Sequence, residues 1–179
     1  MALIFVTGPP GVGKSAVEQE LRARGETAYD ADDVGAAYDN ASGAVVDVPP
    51  VRDRTREWFA SHSWRIRRDR LVALEREAAG MTIFLCGSAS NEDEIWDLFD
   101  LVIVLDVDAR SLKRRLGSRT DNDYGKNDFE LEEILSRHGQ LTSKYRGREV
   151  TMIDASRPLA LVVQDVVASS DILKANERK

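Results

Sequence analysis

Near the start of the chain, Gly8-Pro9-Pro10-Gly11-Val12-Gly13-Lys14-Ser15 has the residue types and spacing needed to hold a row of phosphates. It fits the pattern G-x-x-x-x-G-K-[ST]. Gly8, Gly11 and Gly13 let backbone N–H groups turn toward one anion without interference from a Cβ. A helix opening at the end of the loop adds its positive N-terminal end at the same point. Lys14 has the reach to meet β- and γ-phosphate oxygens, and the Ser15 hydroxyl is suited to ligate Mg²⁺. The plainer alternative is an ordinary Gly/Pro turn, and the flanks decide against it. Leu3-Ile4-Phe5-Val6-Thr7 reads as a buried strand, and Ser15 to Arg24 carries Ala16, Val17 and Leu21 at helical spacing before a stop at Gly25. Strand, glycine loop and helix together imply binding of a nucleoside triphosphate.

Carboxylates come next. Asp30, Asp32 and Asp33 follow a short strand at Thr27-Ala28-Tyr29. Phosphoryl transfer to a hydroxyl needs a group that orients it and takes its proton. Asp32 is the candidate for that role. Asp30 is placed nearer Mg²⁺, on one of the waters this ion retains, and Asp33 could replace either. All three are equally suited to capping a helix. The segment Arg115 to Lys126 is basic and bracketed by Gly117 and Gly125, and Arg119 is the favoured arginine to cover the transferring group, with Arg115 close behind. Gly87-Ser88-Ala89-Ser90-Asn91 follows the third strand. Gly87 leaves room for a ligand, Ser88 or Asn91 offers a contact, and a plain turn with an Asn cap serves as well. No Asp or Glu ends that strand. Arg65, Arg67, Arg68 and Arg70, with Trp58 and Trp64 nearby, are suited to clamp an anionic or aromatic acceptor or to line a wet helix face. Cys86 reads as a small core residue, and His62 and His138 stand alone.

The elements that must position these groups follow from apolar patterning. Further strands are expected at Met81–Cys86, Leu101–Leu105 and Val150–Ile153. Alternation with helices predicts an α/β fold with a parallel sheet, whose ligands gather beyond the carboxyl ends of the strands. Asp33 to Pro50 reads as a short helix and a loop, and Val51 to Ala60 as a helix. A longer helix is expected from a cap at Ser63 to Gly80, with Ile66, Leu71, Leu74 and Ala78 facing inward. A short one should run from Asn91 to Phe99, and an arginine-rich one should follow Asp108. Gly117 to Lys126 reads as a loop, Asn127 with Glu130 as a helix start for Phe129 to Leu141, and Leu159 onward as a final helix that frays from Lys174.

The chain has 179 residues, which points to one domain with ample core. Its net charge of −6 disfavours general nucleic-acid binding or attachment to an anionic membrane. One cysteine forms no internal disulfide, and no Cys/His cluster suggests structural zinc. No basic region precedes the first apolar run, and no run is long enough to cross a bilayer, so the cytoplasm is the expected compartment. Either a monomer or a homodimer fits.

Taken together, these motifs resemble the shikimate kinase and nucleoside monophosphate kinase superfamily of small P-loop kinases, over nearly the whole chain. The order carries the resemblance: glycine loop, Asp30-x-Asp32 after the second strand, Gly87 after the third, Arg115 to Arg119 after the fourth. Asp154-Ala155 with Pro158 looks like the adenine-side loop. The resemblance implies a three-layer α/β/α fold with a five-stranded parallel sheet of order 2-3-1-4-5, and ATP with Mg²⁺. It implies an acceptor-binding region about residues 33–75 and a lid about 117–126. Nucleotide contacts then fall on Gly8, Pro9, Pro10, Gly11, Val12, Gly13, Lys14, Ser15, Ala16, Arg115, Arg119, Ala155 and Arg157. Acceptor contacts fall on Asp30, Asp32, Arg65, Gly87 and Ser88, and metal contacts on Ser15 and Asp30. The sequence departs from the family in places. Gly87-Ser88-Ala89 stands where shikimate kinases carry three glycines, their acceptor-binding arginines are not reproduced from Arg52 to Arg70, and the Asp-Gly-Phe-Pro-Arg segment of adenylate kinases is missing. The expected activity is phosphotransfer from ATP to a small hydroxyl or phosphate acceptor. The rival is a nucleotide-dependent regulatory or binding ATPase that contacts a protein or RNA.

Overall fold

The computed structural model describes residues 2–50, 53–78, 80–120 and 124–177. Its centre is a five-stranded, all-parallel sheet. The strands are β1 (Ala2–Thr7), β2 (Thr27–Asp30), β6 (Thr82–Cys86), β7 (Leu101–Asp106) and β8 (Thr151–Asp154), in the order β2-β6-β1-β7-β8. Counted along the chain, that is 2-3-1-4-5. β1 lies in the middle and every one of its residues is buried, which is why it reads as an unbroken apolar run. Register pairs Val6 with Cys86, Thr7 with Val104, Asp30 with Cys86 and Asp106 with Asp154. The turns after all five strands therefore open on one edge.

Two apolar layers cover the sheet. On one face, Ile4, Val6, Phe84, Ile103 and Leu105 pack against α1 (Lys14–Ala23), α5 (Ala109–Ser118) and α8 (Leu159–Glu177), through Val17 and Leu21, Leu112 and Leu116, and Val162, Val163 and Val166. On the other, Leu3, Phe5, Ile83, Leu85 and Val104 meet α3 (Arg68–Glu77), α4 (Glu92–Ile95) and α7 (Leu141–Lys144), through Leu71, Leu74, Ile95 and Leu141. Spacings of three and four residues put each pair on one helix face. Between α5 and α7, α6 (Asp128–Gly139) carries the chain from the first layer, at Ile134, to the second, at Leu141 and Tyr145.

The main surprise is the stretch before α3. In place of a short helix and a loop there is a 3₁₀ turn, Ala31–Val34, and then a separate antiparallel sheet of three strands, β3 (Gly35–Asp39), β4 (Val45–Val46) and β5 (His62–Ile66), in the order β4-β3-β5. Ser63 is thus a strand residue opposite Tyr38, not a helix cap. The helix begins at Arg68, and Ile66, Leu71, Leu74 and Ala78 are buried as expected. Pairing with a distant strand outweighs the local helical pattern of 63–66. α2 (Arg56–Ser61) starts later than expected, at a Thr55 cap whose hydroxyl accepts from the Trp58 amide at 3.3 Å. The first two residues of the helix expected over Val51–Ala60 lie outside the described residues.

Smaller corrections concern helix ends. α5 continues through Gly117 and Ser118, which the sequence reading assigned to the loop. Asp121, Asn122 and Asp123 of the expected lid lie outside the described residues. Gln140 separates α6 from α7 inside the span expected as one helix. The last helix persists to Glu177, past the point where fraying was expected.

Candidate active site

The glycine loop joins β1 to α1 at the carboxyl edge of the sheet. Gly8 has φ +144°, and a Cβ there would lie 2.4 Å from the Leu105 carbonyl oxygen. Gly11 has φ +84°, and its Cβ would strike the Leu116 side chain at 2.8 Å. Both positions therefore require glycine, for conformation and for space. Gly13 also has positive φ and precedes the first turn of α1 in a left-handed conformation. Val12 is buried against Leu112 and Leu116 and pins the loop to the core. Ser15 and Ala16 are exposed on that first turn, beside the amides that the loop leaves free for an anion.

Lys14 curls over its own loop and donates to the Gly8 carbonyl at 2.8 Å and the Pro9 carbonyl at 3.0 Å. Burial pushes its ammonium down to a pKa of about 8. Glu92, Asp32 and Asp30 oppose that shift, while Arg119 adds to it. Four charged groups expected or found near the phosphate end thus share the field of one lysine.

Asp30 closes β2 and caps the 3₁₀ turn, its Oδ1 accepting from the Asp32 amide at 2.9 Å. Asp32 is exposed, but partial desolvation raises the pKa of its carboxyl; Asp30 and Asp33 add to that rise and Lys14 opposes it. A carboxylate raised above its usual range is the better proton acceptor. Gly87 lies beside this turn: a Cβ on it would sit 2.1 Å from that of Ala31. The room it leaves is filled by Ala31, so the close approach read from the sequence is made by the protein itself. Ser88, half-buried, continues the same edge.

The loop after β6 is clamped to the small sheet. Ser90 donates to the Trp64 carbonyl from both its amide and its hydroxyl, each at 2.8 Å. The Asn91 side chain accepts from the Ile66 amide and donates to the Ile66 carbonyl, both at 3.0 Å. It imitates a strand partner and makes no cap bond to its own helix. Arg65 lies on that sheet, its guanidinium over the Tyr38 ring and paired with Glu94. Tyr38, Asp39, Asn40, Gly43, Ser63 and Arg65 line a groove of about 260 Å³. Arg67 pairs with Asp69 and Arg68 with Asp97, so three arginines of the cluster are held in ion pairs on the surface.

On the far side, Arg115 bridges two loops. It donates to the Val12 carbonyl at 2.7 Å and to the Ala155 carbonyl at 2.8 Å, tying the phosphate cradle to the turn after β8. Ala155 is buried in that turn, and Arg157 folds onto α8 to pair with Asp165. Arg119 caps α5 and donates to the Tyr124 carbonyl. The structure thus gathers Lys14, Asp30, Asp32 and Arg119 in one electrostatic neighbourhood. Arg115 and Ala155 border it, and Arg65 and Arg157 have ionic partners of their own.

One acid at the centre escaped the sequence reading. Glu92 is 3% exposed. It accepts from the Thr7 hydroxyl at 3.2 Å and the Tyr145 hydroxyl at 2.9 Å, and pairs with Lys144 at 2.6 Å. It is also the strongest of the charges that favour the Lys14 ammonium. In sequence it is one of three acids opening a short helix, and only its burial sets it apart. His138 likewise is not alone: its Nε2 meets Asp106 Oδ1 at 2.9 Å, at the end of β7.

Glycine cradle, parallel sheet and strand order define a nucleotide-binding protein with the fold of the small P-loop kinases. Residues 4–136 match the family model of an AAA domain, and the chain belongs to that P-loop family. None of the curated proteins matches this sequence. Several solved structures share the fold. A gluconokinase from Sinorhizobium meliloti is 19% identical, covering 99% of this chain and 95% of its own, with a TM-score of 0.57. A sugar kinase from Janibacter sp. is 18% identical over 96% and 95%, with a TM-score of 0.58. A shikimate kinase from Bacteroides thetaiotaomicron is 15% identical over 95% and 98%, with a TM-score of 0.53.

Proposed function

We propose that the protein is an ATP-dependent phosphotransferase that moves the γ-phosphoryl group of ATP to a hydroxyl or phosphate of a small molecule. The observation that carries this reading is the convergence on Lys14: a cradle of glycine amides, a carboxylate with raised proton affinity at Asp32, and an arginine at Arg119. Lys14 and the loop amides hold the β- and γ-phosphates. The acceptor oxygen attacks the γ-phosphorus as the bond to the β–γ bridging oxygen breaks and ADP departs. Asp32 takes the acceptor proton, and Arg119 balances charge that spreads over the transferring oxygens.

Magnesium would be held by the Ser15 hydroxyl, with Asp30 on one of the waters that this ion keeps. Among the described residues no three His, Cys, Asp or Glu side chains form a dedicated metal cage, which accords with an ion brought in by the nucleotide. Bound there, the ion would neutralise charge on the nucleotide's phosphates. Residues 33–75 are assigned to the acceptor and 117–126 to the cover over it, within one domain. A small-molecule acceptor accords with the gluconokinase, sugar kinase and shikimate kinase that share the fold. Among the described residues no helix is long and apolar enough to cross a membrane. A cytoplasmic location is part of the same proposal. The rival ATPase needs a charged surface for a macromolecule, and its strongest candidates, Arg65, Arg67 and Arg68, are paired with Glu94, Asp69 and Asp97.

The test is ATP consumption over a panel of hydroxylated metabolites and nucleosides, with phosphorus NMR on each hit. Lys14→Ala is expected to abolish turnover. Asp32→Asn is expected to retain nucleotide binding and lose at least a hundredfold in transfer, on the order expected for a general base. Full transfer by Asp32→Asn would refute the assignment of the base.

A further inference from the structure

The excursion between β2 and α3 meets the segment after α5 through an aromatic cluster. Phe59 on α2 packs its ring against Tyr124, with centroids 5.6 Å apart, and against Phe129 at 6.0 Å. Arg56, one turn earlier, lies over Phe129 at 5.6 Å and approaches Glu132 at 3.9 Å. No residue of α2 is fully buried; the helix rests on β5, where Trp58 stacks on His62 at 4.7 Å, and reaches the segment after α5 through this cluster.

Tyr124 is held from other directions as well. Its carbonyl receives the Arg119 guanidinium. The next amide, Gly125, donates at 2.7 Å to Glu130, a carboxylate only 1% exposed. Gly125 has φ +93°, and a Cβ there would strike Ile134 at 2.9 Å, so the backbone at this point is wedged against the core. Ring, carbonyl and neighbouring amide are each engaged, and the carbonyl is one of the groups that hold the arginine. Arg119 lies one turn beyond Arg115, whose guanidinium donates to the Val12 carbonyl of the glycine loop at 2.7 Å, and its charge lowers the proton affinity of Lys14.

We propose that Phe59 is a positioning residue for Arg119, acting through Tyr124, so that the acceptor-side excursion sets the arginine beside the phosphate cradle. The inference rests on the phosphotransferase reading and adds a link between its two substrate sides. Plain apolar packing would also explain Phe59, but packing alone predicts lost stability with no change in how the site reads a γ-phosphate.

Calorimetric titration of the full chain with Mg·ADP and with Mg·AMP-PNP, which retains a γ-phosphate, separates these roles. The quantity compared is the preference for AMP-PNP over ADP, with a thermal midpoint recorded for each variant. Arg119→Ala is expected to lower the preference roughly tenfold, as loss of a charge-assisted hydrogen bond does. Phe59→Ala is expected to lower it about threefold to fivefold, a fraction of that same charge-assisted term, and Phe59→Tyr, which keeps a ring, to restore it. The double variant Phe59→Ala/Arg119→Ala should fall no further than Arg119→Ala alone, because both changes break one chain of contacts. Should Phe59→Ala fail to fold, Phe59→Leu keeps apolar bulk without the ring and must move the preference in the same direction. An unchanged preference in a folded Phe59 variant, or losses that multiply in the double variant, overturns the positioning role alone; an unchanged preference in Arg119→Ala overturns it and also removes the arginine from the proposed phosphate site. If the unmodified chain binds neither nucleotide in a magnesium-dependent way, the phosphotransferase reading falls with it.

Discussion

Gly87 shows what its surroundings add to a residue's type. A glycine after the third strand suggests close approach of a ligand, and the structure sets Ala31, of the turn that carries Asp32, directly against it. Gly87→Ala is therefore expected to act on the fold first. Two Cβ atoms at that distance must separate, at about 2 kcal/mol for an overpacked site. Urea unfolding should show that loss, and adding Ala31→Gly should recover most of it. A ligand-contact role alone predicts no change in the urea midpoint and no rescue. Cys86, at the neighbouring strand end, is buried and its thiol is pushed far up by desolvation, the surroundings of a small core residue.

Among elements, the small antiparallel sheet makes up much of the region proposed for the acceptor. It hangs from the end of β2 by the turn Ala31–Val34 and is fastened to the loop after β6 by Ser90 and Asn91. Asn91 satisfies both backbone groups of Ile66, which is itself buried. Asn91→Ala would leave a donor and an acceptor without partners, and is expected to lower stability by about 2–3 kcal/mol. Equilibrium unfolding measures this, and a loss below about 0.5 kcal/mol would show that the clamp is replaceable by solvent. The sequence hides this sheet because Gly35-Ala36-Ala37-Tyr38-Asp39 is a poor strand on propensity, and Ser63 to Ile66 fits a helical face as well as a strand.

At the scale of the molecule, the proposed site lies along the carboxyl edge of the parallel sheet, and nucleotide binding there should be visible as global stability. A ligand at a hundred times its dissociation constant adds about 2.7 kcal/mol. For a chain of this size that is roughly 5–10 °C in thermal midpoint. Mg·ATP should produce such a rise in the unmodified protein, while Lys14→Ala should lose most of it. An equal rise in Lys14→Ala would place the nucleotide elsewhere than the glycine cradle.

Sequence alone determined the parallel sheet, its strand order through the resemblance, and the phosphate cradle. These are written locally, in unbroken apolar runs and in glycines whose spacing serves one backbone shape. Tertiary structure alone decided that Glu92 is buried and paired with Lys144, that Asn91 ties two sheets together, and that Phe59 reaches Tyr124. Each of these depends on residues far apart in the chain. Burial and contact belong to the folded arrangement, and no spacing within the sequence encodes the distance between Phe59 and Tyr124.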